Sequence, residues 1–249
     1  MISRLTVKIK KEEGFPLFYN NAPLFHGYIM ETCKKEYADF LHLQGLKPYS
    51  QSVFMLNNDE YIWQINTLNE EARENIILPL IERLNKEGFI NITYKDHKYI
   101  PYEYNLKEIK DLNEYINSFY KEEKSKVIKV KFVTPTSFKS FGENVFVPDI
   151  RLIVKSMVNK ADSFLPVTLK DEETMETIIN NISLKDFNIK STMFKSSDVG
   201  IKSFIGNVSF YVKGPKPLLS LTHLLFDFAS YAGIGVKSPQ GMGCIKMLL

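Results

Sequence analysis

Cysteine and histidine are scarce in this chain of 249 residues, which holds two of the first and four of the second. Cys33 and Cys244 stand near opposite ends, so neither a disulfide framework nor a zinc-ligand spacing is spelled. No Asp/Glu cluster shows metal spacing either, and neither a metal nor a cofactor is expected. Long apolar runs are missing too. None approaches the ~18 residues of a membrane span, since Asp227 interrupts the best candidate. Met1–Lys10 alternates apolar and polar residues and lacks the apolar block of a secretory signal. The expected location is cytoplasmic, with no membrane partner. Neither a Walker A Gly-Lys-Ser/Thr nor a full Gly-x-Gly-x-x-Gly is present, which counts against mononucleotide binding.

Glycine, by contrast, is concentrated. Gly233, Gly235, Gly241 and Gly243 place four of the twelve glycines in one short loop, with Lys237 among them and an apolar run behind. Glycine lets backbone reach positive φ and come close to a bulky partner. A run of loop N–H groups beside a lysine suits an anion such as a phosphate backbone. A tight turn before a final strand is the competing reading, but it does not readily explain four glycines. Charge is divided as unevenly. Residues 1–123 carry 15 Lys/Arg against 19 Asp/Glu, whereas residues 124–249 carry 17 against 10. A basic half is either a solvated face or the seat of a polyanion, and together with the loop it points to nucleic acid. Lys190, Lys195 and Lys202 are the further candidate RNA contacts there.

The order of elements repeats. A strand over Leu5–Ile9 leads to a helix from about Ala22 to Gln44, stopped by Gly45. Strands over Ser52–Leu56 and Tyr61–Leu68, an amphipathic helix over Glu70–Lys86 and a strand over Phe89–Tyr94 complete β-α-β-β-α-β. Asp111–Lys126 reads as the connection between halves. A strand from Val127, a helix over Pro148–Asn159 and an additional helix over Asp171–Asn181 then follow. Paired strands over Asp186–Phe194 and Phe204–Lys213 flank Lys195–Ile201. An apolar helix over Pro217–Tyr231, the glycine loop and a strand over Cys244–Leu249 close the order. The expected fold is α+β, two tandem ferredoxin-like domains over 1–123 and 124–249.

Each histidine can be weighed. His97, in Lys95-Asp-His-Lys98, reads as solvated, His223 as satisfied within an apolar helix, and His26 as a residue near a helix start. His42 falls at a helix end, where the carbonyl dipoles favour an imidazolium. Gly45 turns the chain after it, so Lys47 can approach the same space. Histidine and lysine beside a phosphate-binding surface suit phosphodiester chemistry; a merely dipole-complementing histidine is the alternative.

Phe40-Leu-His42-Leu-Gln-Gly45-Leu-Lys47-Pro-Tyr-Ser50 resembles the L-H-x-x-G-x-K-x-Y/F-S region of the CRISPR repeat-processing endoribonucleases, members of the repeat-associated RNA-binding superfamily. Thr134-Pro-Thr-Ser-Phe138, Phe204-Ile-Gly206 and the terminal glycine loop are similar to that family in the same order, so the resemblance spans nearly the whole chain. It implies two ferredoxin-like domains gripping CRISPR repeat RNA, with His42 serving in metal-independent cleavage and Lys47 facing the charge. The 2′-hydroxyl would attack its own phosphate to leave a cyclic phosphate and a 5′-hydroxyl. A CRISPR effector complex is a further implied partner, and the chain would act as monomer or homodimer. A non-catalytic RNA-binding subunit of the same superfamily is the main rival. A small-molecule enzyme of ferredoxin-like fold is a third reading, disfavoured by the charge division. One departure stands out. The family's second catalytic position matches Met30, which cannot move a proton. Tyr28 and His26 lie close by, but on one unbroken helix Tyr28 would stand roughly 21 Å from His42. Only a break near Thr32–Lys34 would bring such a group to His42.

Overall fold

The computed structural model describes all residues except 12–13, 58–59, 93–96, 197–198 and 249. In the first half, β1 (Ile2–Lys10) turns Leu5, Val7 and Ile9 inward, as their alternation requires. It lies between β3 (Glu60–Thr67) and an edge strand in an antiparallel sheet, with β2 (Tyr49–Asn57) outside β3. Helices α1 (Ala22–Thr32) and α2 (Lys35–His42) precede β2. A long helical run, α3, follows β3. It starts at Glu70–Ala72, passes through a π-turn at Arg73–Ile77 and ends over Leu78–Glu87. Asn69 caps its start by accepting from the Ala72 N–H, and Gly88 ends it at φ +73. Phe25, Trp63, Ile65, Ile77 and Leu80 meet in the core between helices and sheet.

The fourth strand of this sheet is not the expected Phe89–Tyr94. There β4 (Ile90–Ile92) pairs only with β5 (His97–Tyr99), a small hairpin that buries Ile90, Ile92 and Tyr99; residues 93 and 94 lie outside the described set. The edge strand is β6 (Pro101–Ile109), paired with β1. Most of its side chains are exposed, so it carries no apolar alternation for a sequence reading to catch. His97 is likewise not solvated: its ring stacks on Phe15 at 3.7 Å.

Within the connection, Asp111 caps helix α4 (Leu112–Lys121), whose Leu112, Tyr115, Ile116 and Phe119 pack on the second core. The second sheet runs β10 (Ile182–Ser196), β11 (Val199–Val212), β7 (Val127–Thr136), β12 (Ile245–Leu248), antiparallel throughout. Between β7 and α5 (Ile150–Phe164) comes a hairpin that the sequence reading did not expect, β8 (Phe138–Ser140) and β9 (Glu143–Val145). Helix α6 (Glu172–Asn181), capped by Asp171, precedes β10, and α7 (Lys216–Ala232) follows β11. The interval Lys195–Ile201 is taken up largely by the ends of β10 and β11, which pair Ser196 with Val199. In strand-of-motif order both sheets run 2-3-1-4, so both halves are ferredoxin-like.

Candidate active site

The helix expected over Ala22–Gln44 is in fact two. Cys33 and Lys34 adopt extended backbone, with ψ 152° and 143°, and α2 starts afresh as Tyr37 and Ala38 donate to the Lys34 carbonyl. Thr32 contributes by donating its hydroxyl back to the Tyr28 carbonyl at 2.7 Å, a contact that bends helices. Half-buried His26 then becomes a neighbour of His42. Burial first, and the charge of His42 second, hold His26 well below an ordinary imidazole, at about 4. Its Nδ1 lies 2.7 Å from the hydroxyl of Tyr49 on β2, with the rings tilted by 15°. Tyr49 is buried, and burial pushes its phenol upward.

His42 itself is exposed. The chain beyond it turns at Gly45, φ +116, and Lys47 donates to the Leu43 carbonyl of the same loop. Lys47 is thus held in the loop that follows His42, at the end of α2. Tyr28 does not join them. It lies roughly 200° around α1 from His26, its ring against Trp63 and its hydroxyl donating to the Phe89 carbonyl at 3.5 Å. Arg83 stacks over that ring at 4.1 Å, and burial pushes the phenol up to about 12. Met30 packs against the first core. His223 donates from Nε2 to the carbonyl of Ser125, 2.7 Å away in the connection between halves.

The glycine loop is not the open N–H cradle that the sequence suggested. Ile234 N–H donates to Gly243 O, Gly235 N–H to Ser156 Oγ, Val236 N–H to Ser137 O and Gly243 N–H to Pro135 O, at 2.8–3.0 Å. The close approach that demands glycine is made by the protein itself. A Cβ at Gly235 would strike the Ser137 carbonyl, at Gly241 the Ala22 methyl, at Gly243 the Ile234 carbonyl and at Gly233 the Ser238 side chain. The loop also positions α1. Gln51 donates to both the Ala22 and Pro239 carbonyls, at 2.9 and 3.1 Å, and accepts from the Trp63 indole. Lys237 takes φ +54 and reaches Ser196 Oγ at 3.2 Å and Gln240 Oε1 at 3.1 Å. It is exposed, as are Lys190, Lys195 and Lys202 on the β10–β11 hairpin.

Sequence reasoning missed Lys160. It is 8% exposed, and its ammonium donates to Ala232 O and Gly233 O at 3.0 Å and to Ser238 Oγ at 2.7 Å. It lies on the apolar face of α5 with Met157 and Ala161, and that spacing was the available signal. A cleft of about 400 Å³ opens beside it, walled by Leu46 of the His42 loop, Gly235 of the glycine loop, Lys139, Phe141, Lys155 and Asn159. Phe141, at the β8–β9 turn, is fully exposed. Among the described residues no three His, Cys, Asp or Glu side chains converge as metal ligands would.

A family model described as CRISPR-associated endoribonuclease Cas6 matches residues 130–245, which include the glycine loop. Curated relatives of that description from Mycobacterium tuberculosis and Streptococcus thermophilus are each 28% identical to this chain over 90% of its length. They are covered over 71% and 89% of their own lengths. The chain is thus similar to Cas6 endoribonucleases over most of its length. Its fold agrees with solved Cas6 structures. A Cas6 product complex superposes with a TM-score of 0.77 at 18% identity over all of both chains. Thermus thermophilus Cas6 gives 0.70 at 17% identity, over 100% of this chain and 98% of that one. Another neighbour, described as an RAMP protein binding different RNA substrates, gives 0.63 at 16% identity over 99% and 100%. His26 and His42 lie outside the residues matched by the Cas6 model, 130–245.

Proposed function

We propose that this Cas6 relative cuts CRISPR precursor RNA within its repeats, without a metal, by attack of a 2′-hydroxyl on the adjacent phosphate. O2′ gives up its proton as the O2′–P bond forms. The P–O5′ bond breaks, and O5′ leaves after taking up a proton. The products are a 2′,3′-cyclic phosphate and a 5′-hydroxyl. Each proton transfer near neutral pH is typically worth ~10²–10⁴-fold and needs a positioned group. The observation that carries this reading is the break at Cys33–Lys34, which brings His26 beside His42. His42 serves one transfer. His26 serves the other once a phosphate beside it raises its affinity for a proton. The ammonium of Lys47, which keeps two donors beyond the one on Leu43, faces the charge gathering on the phosphorane.

Residues 1–123 supply these groups in our reading, and residues 124–249 supply most of the grip. The cleft bearing Lys139, Lys155 and Phe141 suits a nucleotide flanking the cut, by charge and by stacking. Lys237, Lys195, Lys202 and Lys190 extend the basic surface, while the glycines hold Lys237 in place rather than touching phosphate themselves. A monomer or homodimer in the cytoplasm would suffice, handing its product to an effector complex.

Incubating the purified protein with labelled repeat RNA in EDTA tests the reading. Cleavage at one position with a cyclic-phosphate end is the expected result. Binding without cleavage would instead make the chain a carrier of repeat RNA.

A further inference from the structure

We infer that Tyr49 is a positioning residue for His26, holding that imidazole with its proton on Nε2, the nitrogen turned away from the core. This rests on the reading that His26 takes part in cleavage. The geometry is specific. The Tyr49 hydroxyl and His26 Nδ1 are 2.7 Å apart, and among the described residues no other hydrogen bond engages that hydroxyl. Tyr49 is 1% exposed, so water does not compete for it. A buried hydroxyl left without an acceptor is costly, on the order of 1–3 kcal/mol. The phenol must therefore donate, and Nδ1 must accept. An imidazole that accepts at Nδ1 and is neutral carries its hydrogen on Nε2.

The surroundings keep the ring in that neutral state in the absence of RNA. His42, at the end of α2, is the titratable side chain whose charge bears on His26, and like the burial it disfavours a second positive charge. Among the described residues, the titratable groups whose charge bears on Tyr49 are Cys33 and Tyr37, both pushed upward by burial and so uncharged near neutral pH. No carboxylate competes with the tyrosine for Nδ1 among the groups that act on this pair. When an RNA phosphate arrives and the ring gains a proton on Nδ1, that N–H turns donor and the hydroxyl rotates to accept, its own hydrogen unpaired for as long as the ring is charged. Tyr49 thus holds the ring in one orientation in both states. The charged ring gives its Nε2 proton to O5′ as the P–O5′ bond breaks and keeps Nδ1–H on Tyr49, which leaves it neutral. A carboxylate in its place would fix the charged form; a phenylalanine would fix neither.

Nitrogen-15 NMR of histidine-labelled protein at neutral pH reads the tautomer directly. The expected spectrum shows His26 as the neutral Nε2–H form, and Tyr49→Phe converts it to a mixture. The same variant should lose roughly 10-fold or more in single-turnover cleavage, with affinity for a 2′-deoxy repeat RNA unchanged. A wild-type spectrum showing the Nδ1–H form overturns the inference whether or not Tyr49→Phe folds. So does a slowed Tyr49→Phe whose His26 signals match wild type, since that loss would be structural. His26→Ala separates the two levels. If His26→Ala cleaves normally, His26 leaves the reaction and the reading beneath the inference fails. If His26→Ala is slow while Tyr49→Phe is not, only the role of Tyr49 falls.

Discussion

A histidine at an exposed helix end is ordinary until a second one is set beside it. His42 alone could complement the carbonyls of α2; beside His26, whose burial lowers its own affinity for a proton, it has a partner, and two imidazoles suit a reaction with two proton transfers. His42→Ala should therefore cut the single-turnover rate by roughly 10²-fold or more while leaving RNA affinity little changed. Near wild-type cleavage by that variant would remove the residue from the reaction. His26 makes a separate prediction about stability. Its folded form is held at about 4, below the ordinary 6.5 of the unfolded chain. Unfolding takes up a proton between those values, so stability is full above about pH 6.5 and is lost as pH falls towards 4. Urea midpoints should decline over that window in the wild type and decline less in His26→Gln. Both histidines were visible in the sequence, and only their relation was hidden. It depends on two extended residues, Cys33 and Lys34, that no proline or glycine marks.

At the scale of elements, the glycine loop and α5 act together. Gly243 and Gly88 share nearly the same backbone, φ +72 and +73, but Gly88 has open space where a Cβ would go and Gly243 has the Ile234 carbonyl. Gly88→Ala should cost about 1 kcal/mol, a fall of roughly 2–4 °C in Tm. Gly243→Ala should cost several times more, and its RNA binding should fail only as its fold does. Equal melting temperatures for the two variants would show that the loop yields easily. Lys160 ties the same loop down from below. Lys160→Met removes an ammonium that is costly to bury but strands three acceptors, with a net loss of roughly 3 kcal/mol. Burial holds Lys160 at about 7 against 10.5 when unfolded. The unfolded chain thus holds the extra proton, and wild-type stability should rise with pH across that interval. A Lys160→Met protein showing the same rise would place its cause elsewhere. Of these elements, the glycines were legible as unusual but not as inward-facing, because spacing does not say which backbone comes close. Helices with a clear apolar face, such as α3 and α7, could be read nearly to their ends, whereas the exposed β6 and the β8–β9 hairpin could not.

For the whole molecule, charge is the quantity with a measurable signature. The second half carries the basic excess, and Lys237 is exposed at its loop while anchored by Ser196 and Gln240. Lys237→Ala should weaken repeat binding modestly and flatten the slope of log affinity against log salt by about one ion. An unchanged slope would mean that the RNA runs elsewhere. The repeated element order was enough to give both ferredoxin-like halves, since most helices and strands announce themselves by periodicity, though α4 read as a connection and α1 with α2 as one helix. How the halves meet was not legible. Arg4 donating to the Ser230 carbonyl, Ser50 to Tyr231 and Gln51 to Pro239 are single contacts between residues far apart in sequence, and no local pattern encodes them.

Those contacts also set an order in time. Helix α1 is seated by the glycine loop, with Gly241 against Ala22 and Gln51 bridging to Pro239. On a ribosome adding about 5–20 residues per second, the loop emerges roughly ten to forty seconds after α1. Through that interval the nascent first half lacks the piece that seats α1, and a pool of truncated chains would carry both histidines without the clamp that holds that helix.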